Sequence, residues 1–227
     1  MVKVISFSLW GDKPIYNVGA IKNVELVHKF YPEFECWFYI HQPSVPINTI
    51  EELQKYNNVK IILKYGDLLT SKPMMWRFEA IDVPEIEIMI SRDTDTRILL
   101  REQLAVEEWL KTDKIFHIMR DHPYHLYPIQ GGMFGIKKNN KIPSMCNLIN
   151  NYKQIDIRVY DQDFLRDIIY PIIKNDVLIH ASHCILKDAI GEFVKPFPIP
   201  YDNEYRFVGE YINEDESGVL EHRNMLK

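Results

Sequence analysis

Apolar and polar positions along this chain follow two rhythms that trade places repeatedly. Val2–Leu9 mixes β-branched and aromatic residues in a run of strand length, and residues 18–31 then set Ala20, Val24, Val27 and Tyr31 on one helical face. The pair of signals recurs. Residues 35–41 predict a second strand, the proline-containing loop 43–46 leads into a helix near 48–56, and residues 58–64 predict a third strand. A helix around 74–81 and a strand over 85–91 continue the series. Such repeated βα units predict an α/β fold: a mostly parallel, Rossmann-like central sheet flanked by helices, with ligands beyond the carboxyl ends of the strands.

The second half is less regular. A helix over 100–111, with Ala105 above Trp109 and Val106 above Leu110, leads to a strand at 114–119. A loop over 120–132, rich in His, Pro, Tyr and Gly, precedes a short strand at Met133–Lys137. Helices follow over 144–152 and 161–173, then a last strand at 177–180 and a tail rich in proline and aromatic residues. No internal repeat or low-complexity linker interrupts the 227 residues, so they read as one domain.

Composition narrows the partners. A formal charge of -5 gives no global basic field to recruit nucleic acid or an anionic membrane surface. The first ten residues are too short and too alternating for a signal sequence, and no stretch approaches the ~20 apolar residues of a membrane span. Cys36, Cys146 and Cys184 are odd in number and scattered, which argues against a disulfide framework or a zinc knuckle. These features predict a soluble protein of a reducing cytoplasm, not a secreted one.

The clearest chemistry follows the fourth predicted strand. Ser91-Arg-Asp-Thr-Asp-Thr-Arg97 sets Asp93 and Asp95 two residues apart where a buried strand ends, so both can face the crevice. Hard carboxylate oxygens suit Mn²⁺ or Mg²⁺, an ion that completes its shell with water and phosphate oxygens and neutralises a leaving diphosphate. An ordinary solvated acidic turn also fits the pair. Arg92 and Arg97 flank it, either to meet phosphate or to satisfy the aspartates.

Further candidates lie where other strands end. Ser6, Ser8 and Gly11 follow the first strand, where backbone and small hydroxyls can edge a base; a plain strand-to-loop turn is the alternative. Lys72 and Arg77 open the helix before the acidic strand, so a cation there could reach ribose or phosphate while Trp76 packs in the core. Asp121 and His122, in a loop dense with titratable groups, are candidates for sugar or acceptor contacts, or else staple that loop. Gly131 and Gly132 let a backbone pass close to a bulky ligand. Asp161-Gln162-Asp163 begins a helix, so Asp161 is a candidate contact or simply the helix cap. His180 and His183 end the last strand, and either imidazole could be a third ligand for Mn²⁺.

Together these segments resemble the GT-A class of nucleotide-sugar glycosyltransferases, in particular the small single-domain enzymes of chlorella viruses. The resemblance is carried by Ser91–Arg97, by Arg101-Glu-x-x-Ala-Val-x-x-Trp109, by His117-Ile-Met-Arg-Asp-His-Pro123, by Gly131-Gly-Met-Phe-Gly135, and by Pro196-Phe-Pro with Phe207-Val-Gly-Glu210. It implies a GT-A-like domain with a nucleotide-binding half over 1–97 and a sugar and acceptor half over 98–227. It implies a nucleoside-diphosphate sugar as donor, a carbohydrate or glycoprotein as acceptor, and a setting in the cytoplasm of an infected cell. Asp93 would lie toward ribose or sugar, with Asp93, Asp95 and His180 about the metal. Asp161-Gln162-Asp163 is similar to a segment that lines the donor sugar in some retaining enzymes, although His180-Ala-Ser-His183 departs from the His-x-x-Gly-x-x-Lys pattern those enzymes carry. For an inverting reaction, Asp161 or Asp121 would be the base.

Two other classes compete. Asp93-Thr-Asp95-Thr96 satisfies part of the haloacid-dehalogenase phosphatase motif, but that motif follows the first strand of its sheet. A carbohydrate-binding module without turnover would also use a sugar-shaped crevice.

Overall fold

The computed structural model describes residues 1–66, 68, 71–153, 157–183 and 193–227. Cys184 falls outside the described residues. Eight strands among them form one sheet: β1 (Val2–Leu9), β2 (Phe34–His41), β3 (Val59–Lys64), β4 (Ile86–Arg92), β5 (Phe116–Arg120), β6 (Met133–Lys137), β7 (Val177–Ala181) and β8 (Phe193–Lys195). Their order across the sheet is β3-β2-β1-β4-β6-β5-β7-β8. β6 runs antiparallel to both of its neighbours, and the other pairings are parallel.

The alternation of side chains through the strands fills two cores. Val4, Met89, Phe116 and Phe134 face one layer, and Ile5, Phe7, Phe38, Ile88 and Ile90 face the other. Helix α1 (Pro14–Phe30) covers the second layer with Ala20, Val24 and Val27, the stripe its sequence displays. Pro14 starts α1 at the position where a missing N–H costs nothing. Helix α2 (Ile47–Leu53) and helix α3 (Leu100–Leu110) complete that side with Ile50, Leu53, Val106 and Trp109.

The segment expected as a helix around 74–81 is a 3-10 helix over Lys72–Asp82. With three residues per turn, Met75, Phe78 and Ile81 share one face and enter the core, while Met74, Arg77 and Ala80 share another. This repeat of three delivers Met74 and Arg77 to the carboxyl ends of β1 and β4. Helix α4 (Met145–Asn151) is anchored to the end of this segment, because Asp82 accepts the N–H groups of Met145 at 2.8 Å and Cys146 at 2.7 Å.

The single helix expected over 161–173 is three pieces. Helix α5 (Tyr160–Phe164) passes into one π turn at Leu165–Ile169 and then into α6 (Tyr170–Ile173). Pro171 has no N–H to give back along the helix, which accounts for the break in the α register. Strand β8 and helix α7 (Leu220–Asn224) were not expected; each is five residues or fewer. Among the described residues no helix is long and apolar enough to cross a membrane.

Candidate active site

A cleft of about 530 Å³ opens where β1, β4 and β6 meet, and it gathers residues from distant parts of the chain. Ser8, Gly11, Lys13 and Tyr16 come from the end of β1 and the start of α1; Arg77 from the 3-10 helix; Asp93 and Asp95 from the turn after β4. Gly131 and Gly132 enter before β6, and Arg158, Asp161 and Gln162 surround the start of α5.

Arg77 organises its floor. The guanidinium is buried, donating from Nη1 to Asp93 Oδ1 at 2.5 Å and from Nη2 to Asp161 Oδ2 at 2.9 Å. Its own backbone N–H donates to Ser8 Oγ at 3.0 Å, which ties the clamp to the end of β1. Burial pushes the Asp161 carboxyl up to about 6, against the opposing pull of Arg77. Burial, and then the neighbouring charge of Asp93, pushes Asp95 up to about 7, with Arg77 and Arg97 only partly offsetting this.

The two glycines fit against these carboxylates. A Cβ at Gly131 would fall 2.0 Å from Asp161 Oδ2, and one at Gly132 would fall 2.0 Å from Asp93 Oδ2. No larger residue is compatible with both acids in place. Gly11 serves differently: its φ of +78 turns the chain after β1. Its N–H donates to Ser44 Oγ at 2.8 Å, and its carbonyl accepts from Asn17 Nδ2 at 3.2 Å.

The acidic turn is held by its carbonyls. Asn23, on the buried face of α1, donates to Thr94 O at 3.3 Å and Thr96 O at 2.8 Å. Arg97 donates to the same two carbonyls at 3.2 and 2.9 Å and pairs with Glu216, so its charge serves the turn.

Several residues expected here are placed elsewhere. Arg92 points to the opposite face from Ser91 and Asp93, where strand alternation sends it, and forms a buried pair with Glu102 at 2.6 Å. Lys72 donates to Asn150 at 2.9 Å and does not line the cleft. Ser6 is enclosed in the sheet one step too early, and Asp163 pairs with Arg166 at 2.7 Å. Asp121 is fully enclosed. Its carboxylate takes two bonds from Arg101, both at 2.9 Å, one from Ser182 Oγ at 2.6 Å and one from Val208 N–H at 2.9 Å. Every lone pair is committed, so this carboxylate anchors the C-terminal segment and cannot reach a substrate proton. His122 accepts the N–H of Tyr124 and bonds His222 O at 3.0 Å while stacking on Phe207, which makes it part of the same staple.

His180 likewise leaves the expected metal site. It is buried beside His117, with Nδ1 facing His117 Nε2 at 2.8 Å and Nε2 facing Glu108 at 3.3 Å. Both nitrogens are used, and the ring does not line the cleft. His183 instead contacts the Tyr201 hydroxyl at 3.0 Å. Among the described residues no group of three His, Cys, Asp or Glu side chains is arranged to hold a metal. The chemistry of the cleft nonetheless fits a divalent ion bound through two carboxylates. Burial and the charge of Asp93 make Asp95 keep its proton unusually long, a cost that a cation between the two would relieve, and Mn²⁺ or Mg²⁺ completes such a shell with water and phosphate oxygens.

Cleft residues that the sequence reading passed over are Trp10, Lys13, Tyr16, His125, Gln130 and Arg158. Lys13 and Arg158 are exposed and make no ion pair with a described residue. Their signal was position: Lys13 sits four residues beyond β1, and Arg158 precedes Asp161 by three.

No protein-family model matches this chain, and no curated protein sequence does. Solved structures do. A glycosyltransferase involved in glycosylation of the major capsid of PBCV-1 aligns with a TM-score of 0.50 at 14% identity, covering 80% of this chain and 82% of that one. An active-site mutant of LgtC aligns at 0.50 and 12% identity, covering 98% and 94%. The 4-diphosphocytidyl-2C-methyl-D-erythritol synthase of Anaerococcus prevotii aligns at 0.50 and 13%, covering 84% and 94%. At these identities the likeness is one of fold, and in fold this chain is GT-A-like.

Proposed function

We propose that this chain transfers a sugar from a nucleoside-diphosphate sugar, a UDP-sugar before a GDP-sugar, to a glycan or protein-linked acceptor. The observation that carries the reading is the cleft itself: Asp93 and Asp95 share it with Asp161 and the Arg77 clamp, beneath the exposed cations Lys13 and Arg158. Asp93 and Asp95 would hold Mn²⁺ or Mg²⁺, which when bound supplies Lewis-acid neutralisation of the diphosphate as the glycosidic bond breaks. Lys13 and Arg158 add positive charge for the same phosphates from the rim. Ser8 and the Gly11 turn border the nucleoside, where small groups leave room for a planar base. Gln162 and the two glycines border the sugar.

For an inverting reaction, Asp161 is the base this reading assigns. With its carboxyl pushed up to about 6, it matches the proton affinity such a role needs near neutral pH. In a retaining reaction the same residue, paired with Arg77, would instead stabilise the developing positive charge at the sugar.

A synthase that handles a diphosphocytidyl group has a fold as similar to this chain as the two transferase structures do. Nucleotidyl transfer is therefore the competing outcome of the test. Incubation with UDP-glucose, UDP-galactose or GDP-mannose and Mn²⁺ is expected to release the nucleoside diphosphate slowly in the absence of acceptor. Release of pyrophosphate from a nucleoside triphosphate and a sugar phosphate, with no diphosphate release from the sugar nucleotides, would assign nucleotidyl transfer instead.

A further inference from the structure

His125 lies in the loop between β5 and β6 and lines the cleft together with Gln130, Gly131 and Met133. Its ring is fixed from behind. Nδ1 accepts the backbone N–H of Asp121 at 2.9 Å and that of His122 at 3.2 Å. The ring also packs against His122 and Phe207, with centroid separations of 5.9 and 6.0 Å. A backbone N–H only donates, so Nδ1 must present a lone pair, and the hydrogen of the neutral imidazole then sits on Nε2. Burial keeps the ring neutral, lowering its pKa to about 3. Nε2 has no hydrogen-bond partner among the described residues. A histidine bonded in this way is a donor toward the cleft; to ligate a metal through Nε2 it would need a proton on Nδ1, facing two N–H groups.

Strand order says what this donor meets. Across the sheet the cleft passes from β1 to β4, β6 and β5. The β1 end contributes Ser8 through Lys13, the β4 end contributes the carboxylate pair, and Gly132 and His125 lie on the far side. On the proposed function, with the diphosphate at the central carboxylates and the nucleoside beside the β1 end, the sugar would extend toward β6 and β5. We propose that His125 recognises the donor sugar, its Nε2–H donating a hydrogen bond to a sugar hydroxyl. The assignment rests on the cleft being a nucleotide-sugar site. A neutral donor distinguishes hydroxyl positions on the sugar, whereas the rim cations respond to phosphate alone.

The test is calorimetric titration of the full chain, with Mn²⁺, by UDP, GDP, UDP-glucose, UDP-galactose and GDP-mannose, in wild type and two variants. His125→Asn keeps an acceptor oxygen where Nδ1 stands and leaves nothing at Nε2; His125→Gln places an amide N–H near Nε2 and abandons the loop acceptor. His125→Asn should bind the preferred sugar conjugate about tenfold more weakly while its affinity for the parent diphosphate is unchanged. His125→Gln should keep the conjugate within about threefold and melt at a lower temperature. The diphosphate affinity is the internal standard for an intact cleft. If His125→Asn loses conjugate and diphosphate in equal proportion, or loses neither, the assignment falls. Wild type that binds none of the five overturns the nucleotide-sugar reading, and this assignment with it.

Discussion

The backbone N–H of Ile212 donates to the carbonyl oxygen of Asp95 at 2.8 Å, so the C-terminal segment is bonded directly to the acidic turn. That segment is itself braced, by the Ile212–Gly218 bridge and by the Arg223–Glu210 pair at 2.5 Å. Ile212→Pro removes the donor and also trims a buried side chain. The expected result is metal-dependent nucleotide binding weakened about tenfold, with a thermal midpoint only a few degrees lower. Unchanged binding would make the tail a bystander to the turn.

Gly132 packs directly against one member of the carboxylate pair. A Cβ there would stand 2.0 Å from Asp93 Oδ2, and relief requires moving Asp93 or the entry to β6. Gly132→Ala should therefore cost about 1–3 kcal/mol of stability and reduce metal-dependent nucleotide binding by at least tenfold. Urea denaturation and calorimetry on the same preparation separate the two effects.

Asp121 gives the opposite pattern, loss of fold with the chemistry spared. Its pair with Arg101 is buried, and Asp121→Asn leaves that guanidinium without its counter-charge. Breaking such a pair costs about 3–5 kcal/mol, which lowers the melting temperature of a chain this size by roughly 6–20 °C. Below that midpoint, turnover per folded molecule should stay within about fivefold of wild type, and the pH dependence of kcat should not move. A shifted pH profile would return Asp121 to the chemistry.

The pair at Asp93 and Asp95 also predicts a pH dependence. Asp95 keeps its proton up to about 7 in the fold, whereas an unfolded aspartate loses it near 3.9. Between those values the folded chain binds the extra proton, so stability of the metal-free protein falls as pH rises from about 4 to about 7 and then levels. A divalent ion displaces the same proton. Mn²⁺-dependent nucleotide affinity should thus rise by up to about tenfold per pH unit from 5.5 to 7 and flatten above it. Asp95→Asn should reduce the stability slope, most clearly between about 6 and 7, and leave below that the part that Asp161 contributes, read from urea midpoints across that range.

The elements of the first half were legible because each strand is a short, mostly apolar run and helix α1 carries one apolar stripe. Leu9, His41 and Lys64 end their strands where the pattern stops. The three-residue repeat in Met75, Phe78 and Ile81 was present in the sequence, but so short a run reads equally well as an α-helix. Asp93, Asp95 and Arg77 were legible as residues that would share a cleft through their positions beside strand ends. Asp121 and His180 were not, because what removes them from the cleft lies far along the chain. Asp121 is claimed by Arg101 and Val208, and His180 by His117 and Glu108, pairings that only the folded sheet brings together. His125 stood out in the sequence only as one of several titratable groups in its loop, for the converse reason: two backbone N–H groups turn its ring, and a backbone bond leaves no mark on residue types.

The central claim is tested most directly by calorimetric titration of UDP, GDP and their hexose conjugates into the chain with Mn²⁺, then with EDTA, repeated on Asp95→Asn. The account predicts that one nucleotide family binds with Mn²⁺, that EDTA abolishes the binding, and that Asp95→Asn stays folded without binding. Silence from every nucleotide, or binding that persists unchanged through EDTA and Asp95→Asn, would contradict it.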